Sequence, residues 1–143
     1  RTTLIVGFPG ETDREFAALL DFVKETRFDR LGVFTFSAEE GTRAAGLPGQ
    51  IPAEVKQERL DRLMLLQQEI AFETNNSLIG KKMDVIIDAV AEDGTAVGRT
   101  RGDAPEIDQT VTVHEAPNEI GWIGPVRIDS SEGYDLVGTR VQE

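Results

Sequence analysis

TTLIVGFPGETDREFAALLDFV, residues 2–23, decides the first half of the fold. It opens with an apolar, β-rich run, Thr2–Phe8, which is typical of a strand buried on both faces. Pro9 and Gly10 end that strand. Thr12 and Glu15 then have the spacing of a capping box, which predicts the start of a helix. One apolar helical face follows at i, i+3, i+4 and i+7, formed by Phe16, Leu19, Leu20 and Val23.

The next segments complete a βαβ unit. Leu31–Phe36 predicts a second buried strand, parallel to the first and reached by a right-handed crossover. After a loop rich in Gly and Pro, a long helix is expected from Ala53 to Asn75. One βαβ unit with one further helix cannot cover both faces of its own strands. Residues 1–76 therefore indicate the end of a larger α/β sheet or barrel. The expected packed stripe of the long helix is Leu60, Leu63, Leu66, Gln67 and Ile70.

The character of the sequence changes near residue 77. Residues 77–143 contain only short strand and turn signals, with hairpin turns at Glu92-Asp-Gly94 and Ser131-Glu-Gly133. Five strands in so short a segment predict a small antiparallel barrel of the OB type, which closes to hide its edges. The expected strands are Met83–Ala91, Ala96–Thr100, Thr110–Val113, Pro125–Ser130 and Tyr134–Val141.

Composition restricts the possible functions. The 143 residues include 15 Lys and Arg against 26 Asp and Glu, a formal net charge of −11, and no cysteine. The charge disfavours binding to bare nucleic acid or to an anionic membrane, and it favours a basic partner. Without cysteine, these residues supply no disulfide, thiolate nucleophile or Cys-ligated cluster. The charge is unevenly shared: residues 1–76 carry nine basic and 13 acidic side chains, and residues 77–143 carry six and 13.

Two segments are candidate sites. GFPGET, residues 7–12, joins a strand to a helix, where backbone N–H groups can face an anion or a ligand carboxylate. It lacks the lysine of a P-loop, and a simple tight turn with a helix cap is the alternative interpretation. GRTRGDAPEID, residues 98–108, places Arg99 and Arg101 two apart on one face of a predicted strand. It is either a charged hairpin with internal ion pairs or a surface that contacts an extended partner.

Four segments together resemble the C-terminal half of the radical-SAM methylthiotransferases. They are TLIVGFPGETDREF, DRLGVFTFSAEEGTRAAGLP, VKQERLDRLMLLQQEIAFETN and VGRTRGDAPEIDQTV, and the resemblance covers nearly the whole chain. It implies that residues 1–76 form the C-terminal part of a radical-SAM (β/α) barrel and that residues 77–143 form a TRAM domain. Since the chain starts at Arg1 and not at Met, we interpret it as a piece of a longer protein.

The family has two main branches, one acting on an adenosine of tRNA and one on an aspartate of a basic small-subunit ribosomal protein. A second domain with a net charge of −7 favours the basic protein over tRNA phosphate. The sequences EEGTRAAGLP and GRTRGDAPEID also resemble those of the protein-modifying branch. The alternatives are the tRNA-modifying branch and a free-standing OB-like RNA-binding module.

The resemblance further implies S-adenosylmethionine and two 4Fe-4S clusters in the parent protein. The cysteines that hold both clusters are missing, so this chain alone should be inactive and should bind neither cluster. The residues nearest S-adenosylmethionine would be Gly7, Pro9, Gly10 and Glu11. We expect the parent protein to be cytoplasmic and to have no membrane partner. Charge and loop position suggest a docking edge for the ribosomal protein. That edge would consist of Asp103, Glu106 and Asp108, oriented by Arg99 and Arg101.

Overall fold

The computed structural model describes residues 1–142. It divides into two compact units, Arg1–Ile70 and Ala71–Glu143, with the division falling inside a long helix. In the first unit the elements are strand β1 (Thr2–Val6), helix α1 (Asp13–Thr26) and strand β2 (Leu31–Thr35). Helix α2 (Ala53–Leu78) begins in the first unit and ends in the second.

The first unit contains the expected βαβ arrangement. β1 and β2 pair in parallel, with Thr2 opposite Leu31 and Val6 opposite Thr35. The capping box of α1 is present, since the Thr12 side chain accepts from the Glu15 N–H and the Glu15 carboxylate accepts from the Thr12 N–H. The core is built from β1 and the apolar stripes of both helices. Its buried members are Val6, Phe16, Val23, Leu63 and Ile70.

Only one face of this two-stranded sheet is covered. Ile5 and Phe34 lie opposite each other on the other face, where they are 58% and 62% exposed. The helices of the first unit cover a single face, which agrees with the expectation that one βαβ unit and one further helix cannot cover both faces of the strands. The burial on both faces that the apolar pattern indicates is therefore not reached within residues 1–76. The described residues of this unit form a two-stranded sheet and not a closed barrel.

The second unit is a closed five-stranded barrel. Its strands are β3 (Lys82–Val90), β4 (Ala96–Thr100), β5 (Val111–His114), β6 (Ile123–Glu132) and β7 (Asp135–Arg140), in the spatial order β3-β4-β5-β7-β6. Inward residues alternate with outward ones, as a half-buried strand requires. The core is aliphatic and comprises Val85, Ile87, Ala96, Val111, Val113, Val126, Ile128 and Leu136.

The strand positions agree closely with the sequence-based expectation, but the pairing does not. β5 and β7 run parallel, with Val111 opposite Leu136 and His114 opposite Thr139, so the barrel is mixed. The prediction of an antiparallel barrel is wrong at this one seam. Local signals reveal hairpins, and β5 and β7 are joined by no hairpin because β6 lies between them in the chain.

The end of α2 belongs to the barrel unit. Asn75 is buried, and its Nδ2 donates to the backbone oxygens of Gly133 and Tyr134 at 3.2 and 2.9 Å. Phe72 packs edge-to-face against the Tyr134 ring, with 5.2 Å between ring centroids. Gly133 has φ of 67°, a conformation that suits a residue without Cβ in a hairpin turn. Across residues 1–142, no helix is long and apolar enough to span a bilayer.

Candidate functional site

The GFPGET turn is closed by hydrogen bonds within the chain. The Gly7 N–H donates to Glu11 Oε1 at 3.0 Å, and the Gly10 N–H donates to the Gly49 oxygen at 2.8 Å. The Glu11 N–H donates to the Phe8 oxygen at 2.9 Å. These three N–H groups are therefore already used. Of the two interpretations of this segment, these hydrogen bonds favour the tight turn with a helix cap, because a carboxylate of the same turn accepts the Gly7 N–H.

Arg59 of α2 also holds this turn in place, through its contacts with Glu11 and Asp13. Its Nη1 lies 2.7 Å from Glu11 Oε1 and also donates to the Glu11 backbone oxygen at 3.2 Å, while its Nη2 lies 2.9 Å from Asp13 Oδ1. Burial lowers the pKa of Arg59, but the hydrogen bonds to Asp13 and Glu11 outweigh that effect and raise the pKa overall. The guanidinium therefore stays charged and ties the strand-to-helix turn to α2.

Sequence reasoning missed Arg59, although a signal for it was available. Arg59 lies four residues before Leu63, which places it on the buried stripe of α2. A buried arginine requires acidic partners. The partners themselves could not be predicted from spacing, because Glu11 and Asp13 both lie more than forty residues from Arg59 in the sequence.

The second candidate segment, residues 98–108, begins on β4 and continues as a loop. Arg99 is outward on β4 and its Nε lies 3.1 Å from Asp88 Oδ2 on β3. Arg101 lies beyond Thr100, where β4 ends, and is exposed. The prediction that the two arginines share one strand face is therefore wrong. Arg99 pairs with Asp88 on the neighbouring strand. The structure therefore does not bring Arg99 together with the loop carboxylates that it was expected to orient.

Two aspartates shape the loop. Asp103 is buried, and its Oδ2 accepts from Thr100 Oγ1 at 2.6 Å. Asp108 Oδ2 accepts from the Ala104 N–H at 2.7 Å. As a correction to the expected docking edge, the Asp103 carboxylate faces the loop interior. It therefore supports the loop and does not offer its charge to a partner.

Between these two turns the chain presents a polar and an apolar side chain. Glu106 is exposed and has φ of 62°, a left-handed conformation uncommon for a residue with Cβ. Its neighbour Ile107 is 76% exposed. The arrangement is a preformed loop whose tip, Glu106 and Ile107, is directed toward solvent. Of the three predicted carboxylates, Glu106 is the one that is exposed, while Asp103 is buried and Asp108 is half-buried.

The barrel carboxylates include two whose ionised form is favoured by local hydrogen bonds. The hydroxyl of Thr139 donates to Asp129 Oδ2 at 2.7 Å and, with Arg127, lowers the pKa of Asp129 against the opposing effect of burial. The Thr95 N–H donates to Asp93 Oδ1 at 2.9 Å and lowers the pKa of Asp93. Both groups therefore contribute negative charge to the barrel at neutral pH.

The residues do not fit a metal cluster. The chain has no cysteine, and residues 1–142 contain no group of three or more His, Cys, Asp or Glu side chains placed to hold a metal ion. Any iron–sulfur centre of a parent protein would need ligands from outside this chain.

Comparison with known proteins identifies the barrel. The family model described as "TRAM domain" matches residues 79–141, which span all five barrel strands. The barrel is a TRAM domain. Its match begins at residue 79, directly after α2 ends at Leu78.

The whole chain is similar to a set of curated proteins that share one name, ribosomal protein uS12 methylthiotransferase RimO. It is 49% identical over 144 aligned residues to the protein of Clostridioides difficile strain 630, with 100% of the chain and 32% of the relative covered. It is 51% identical over 144 residues to that of Proteus mirabilis strain HI4320, with the same coverage. For Salmonella paratyphi A, the values are 49% over 142 residues, with 99% and 32% covered.

These matches confirm the resemblance to the C-terminal portion of the RimO methylthiotransferases. The chain spans about a third of the length of the curated relatives that it matches. The TRAM domain accounts for less than half of the chain. The similarity therefore extends through the βαβ unit as well as the barrel.

Proposed function

We propose that this chain is the C-terminal portion of a radical-SAM methylthiotransferase that modifies an aspartate of ribosomal protein uS12. The observation that carries the proposal is identity of about half of the residues over the full chain to proteins named for that activity. In this proposal, residues 1–76 are the C-terminal part of the radical-SAM barrel and residues 77–143 are the TRAM domain. The open face of β1 and β2 supports the first assignment, since a barrel needs further strands to close it.

The role proposed for the TRAM domain is to dock uS12. Residues 77–143 carry six basic and 13 acidic side chains, and a basic ribosomal protein is the complementary partner. Glu106 would meet the partner at the loop tip, with Asp103 and Asp108 holding the loop in shape. Arg101, exposed at the base of the loop, would limit which cationic groups can approach.

The role proposed for the βαβ unit is to form part of the S-adenosylmethionine site of the parent protein. Gly7, Pro9, Gly10 and Glu11 would lie nearest the cofactor. Because the N–H groups of Gly7, Gly10 and Glu11 are bonded within the chain, the turn would contribute shape and not free donors. When bound to the complete enzyme, the cofactor would be the source of the radical, and the two 4Fe-4S clusters would be held by other parts of that enzyme. On this proposal the chain alone is inactive and the parent is cytoplasmic.

A binding experiment separates this proposal from an RNA-binding function. The whole chain is titrated with purified uS12 and, separately, with tRNA, each at low and at physiological salt. We expect uS12 to bind with an affinity that falls as salt rises, and tRNA to bind weakly at both concentrations. Tight, salt-sensitive binding of tRNA without binding of uS12 would contradict the proposal and favour the tRNA-modifying branch or a free-standing RNA-binding module.

A further inference from the structure

One outward row of the TRAM domain is apolar where a solvated barrel would be polar. Ile86 on β3 lies opposite Ile123 on β6 and, on its other side, opposite Arg99 on β4. Its neighbours Val85 and Ile87 point into the core and are fully buried. Ile123, Ile86 and Arg99 therefore form a continuous row across three strands on the outer surface.

A third isoleucine adjoins this row. The Gly121 N–H donates to the Ile87 oxygen at 2.8 Å, so the segment before β6 is attached to β3 at Ile87, the residue that follows Ile86. Ile120, just before that glycine, is 69% exposed, and Ile123 is 64% exposed. Apolar side chains exposed next to one another on a soluble domain are characteristic of a contact surface. We define the isoleucine row as Ile86, Ile120 and Ile123.

Acidic groups border the isoleucine row. Asp84 lies two residues from Ile86 on the same face of β3 and is exposed, and Glu119 directly precedes Ile120 and is exposed. The adjacent cation, Arg99, has its charge balanced by Asp88 at 3.1 Å. The cations Lys82 and Arg127 lie opposite each other on β3 and β6, beyond Asp84. They are four residues from Ile86 and Ile123 respectively, which is about 13 Å along each strand. The surface thus has an apolar centre and a negative border.

We propose that the isoleucine row is a docking surface for an apolar side chain carried on a cationic segment of a partner protein. This inference rests on the proposed function, in which that partner is uS12. Charge complementarity selects the occupant: the negative border repels nucleic-acid phosphate, and it also repels a second copy of this acidic chain. β4 joins the row at Arg99 and leads directly into the loop that presents Glu106, so both features lie on one strand and its continuation.

The test compares two matched variants of the whole chain, Ile123→Ser and Ile79→Ser. Ile79 is also exposed, at 46%, but it precedes β3 and lies outside the row. Loss of a central apolar anchor is expected to weaken uS12 binding by about tenfold in Ile123→Ser, while Ile79→Ser leaves it unchanged. Because both side chains are exposed, both variants are expected to fold, which far-UV circular dichroism and urea unfolding verify.

The outcomes separate this inference from the proposed function. Binding of uS12 by the wild-type chain that is equally strong in Ile123→Ser overturns the inference and leaves the proposed function standing. No binding of uS12 by the wild-type chain overturns both. If Ile123→Ser abolishes a dimer in sedimentation without changing uS12 affinity, the row is covered by a second copy and the inference is wrong. A loss of tRNA affinity in place of uS12 affinity also overturns it.

Discussion

Arg59 Nη1 lies 2.7 Å from Glu11 Oε1, and the same carboxylate oxygen accepts the Gly7 N–H at 3.0 Å. Their side chains are only 7% and 14% exposed, so the pair is shielded from solvent. One carboxylate thus joins the end of β1 to α2. The geometry of the GFPGET turn therefore depends on a residue far away in sequence.

Removing the guanidinium should destabilise the first unit. In Arg59→Met the buried carboxylate of Glu11 loses its charged partner, and we expect the free energy of unfolding to fall by about 3 kcal/mol. Asp13→Asn is the control, since Asp13 is fully exposed and its substitution should change the free energy of unfolding much less than Arg59→Met does. Urea unfolding measures both. Equal stability of Arg59→Met and wild type would show that the pair does not hold the turn.

Glycine substitutions in the turn should differ in cost. Gly7 and Gly10 both have positive φ, at 77° and 88°, but a Cβ on Gly7 would overlap Lys56 Cγ, whereas a Cβ on Gly10 meets nothing within 4 Å. In Gly10→Ala the free energy of unfolding should fall by about 1 kcal/mol, because a residue with Cβ is disfavoured in the left-handed conformation. Gly7→Ala adds a steric clash and should lose more in thermal or urea unfolding. The reverse order of the two variants would contradict this account of the turn.

The loss of stability of the TRAM domain at acidic pH should depend on Asp129. Its lowered pKa means that its contribution is present above the unfolded value of about 3.9 and is lost as the pH falls through the lower folded pKa. Asp129→Asn weakens the charge-assisted bond from Thr139 and should lose about 1 kcal/mol at pH 7. The difference from wild type should shrink below about pH 4. Urea unfolding at a series of pH values tests this, and a difference that grows on acidification would refute it.

The uncovered face of β1 and β2 should promote self-association. Ile5 and Phe34 are neighbours on that face and more than half of each side chain is exposed. We expect the chain to bind an apolar dye and to associate at high concentration, because burial of these side chains removes apolar surface from water. Ile5→Ser combined with Phe34→Ser should reduce both effects in dye titration and sedimentation velocity. A wild-type monomer without dye binding would contradict this expectation.

Some of these features were visible in the sequence because their causes are local. The capping box at Thr12 and Glu15 and the hairpin turn at Gly94 each involve residues a few positions apart, and both are present. The parallel contact of β5 with β7 and the pairing of Arg59 with Glu11 join distant segments, which periodicity and turn signals do not connect. The burial of Asp103 was missed for a different reason, because its partner is local.

Asp103 shows why charge alone misplaces a site residue. An aspartate in an acidic loop suggests exposure, but the Thr100 hydroxyl three residues earlier captures its carboxylate and turns it inward. Glu106 has no Ser or Thr three residues before it, and it is exposed. A loop carboxylate preceded by Ser or Thr at this spacing can structure the loop, and the sequence contains that signal at Thr100.

Chemical-shift mapping of the isotope-labelled chain during titration with uS12 tests the central claim most directly. We predict that backbone resonances change around the loop tip, Glu106 and Ile107, and along the isoleucine row, while those of α1 stay unchanged. The changes should diminish together as salt is raised, since the contact depends on charge. Absence of shifts at saturating uS12, or shifts confined to residues outside the TRAM domain, would contradict the claim that this acidic barrel docks the ribosomal protein.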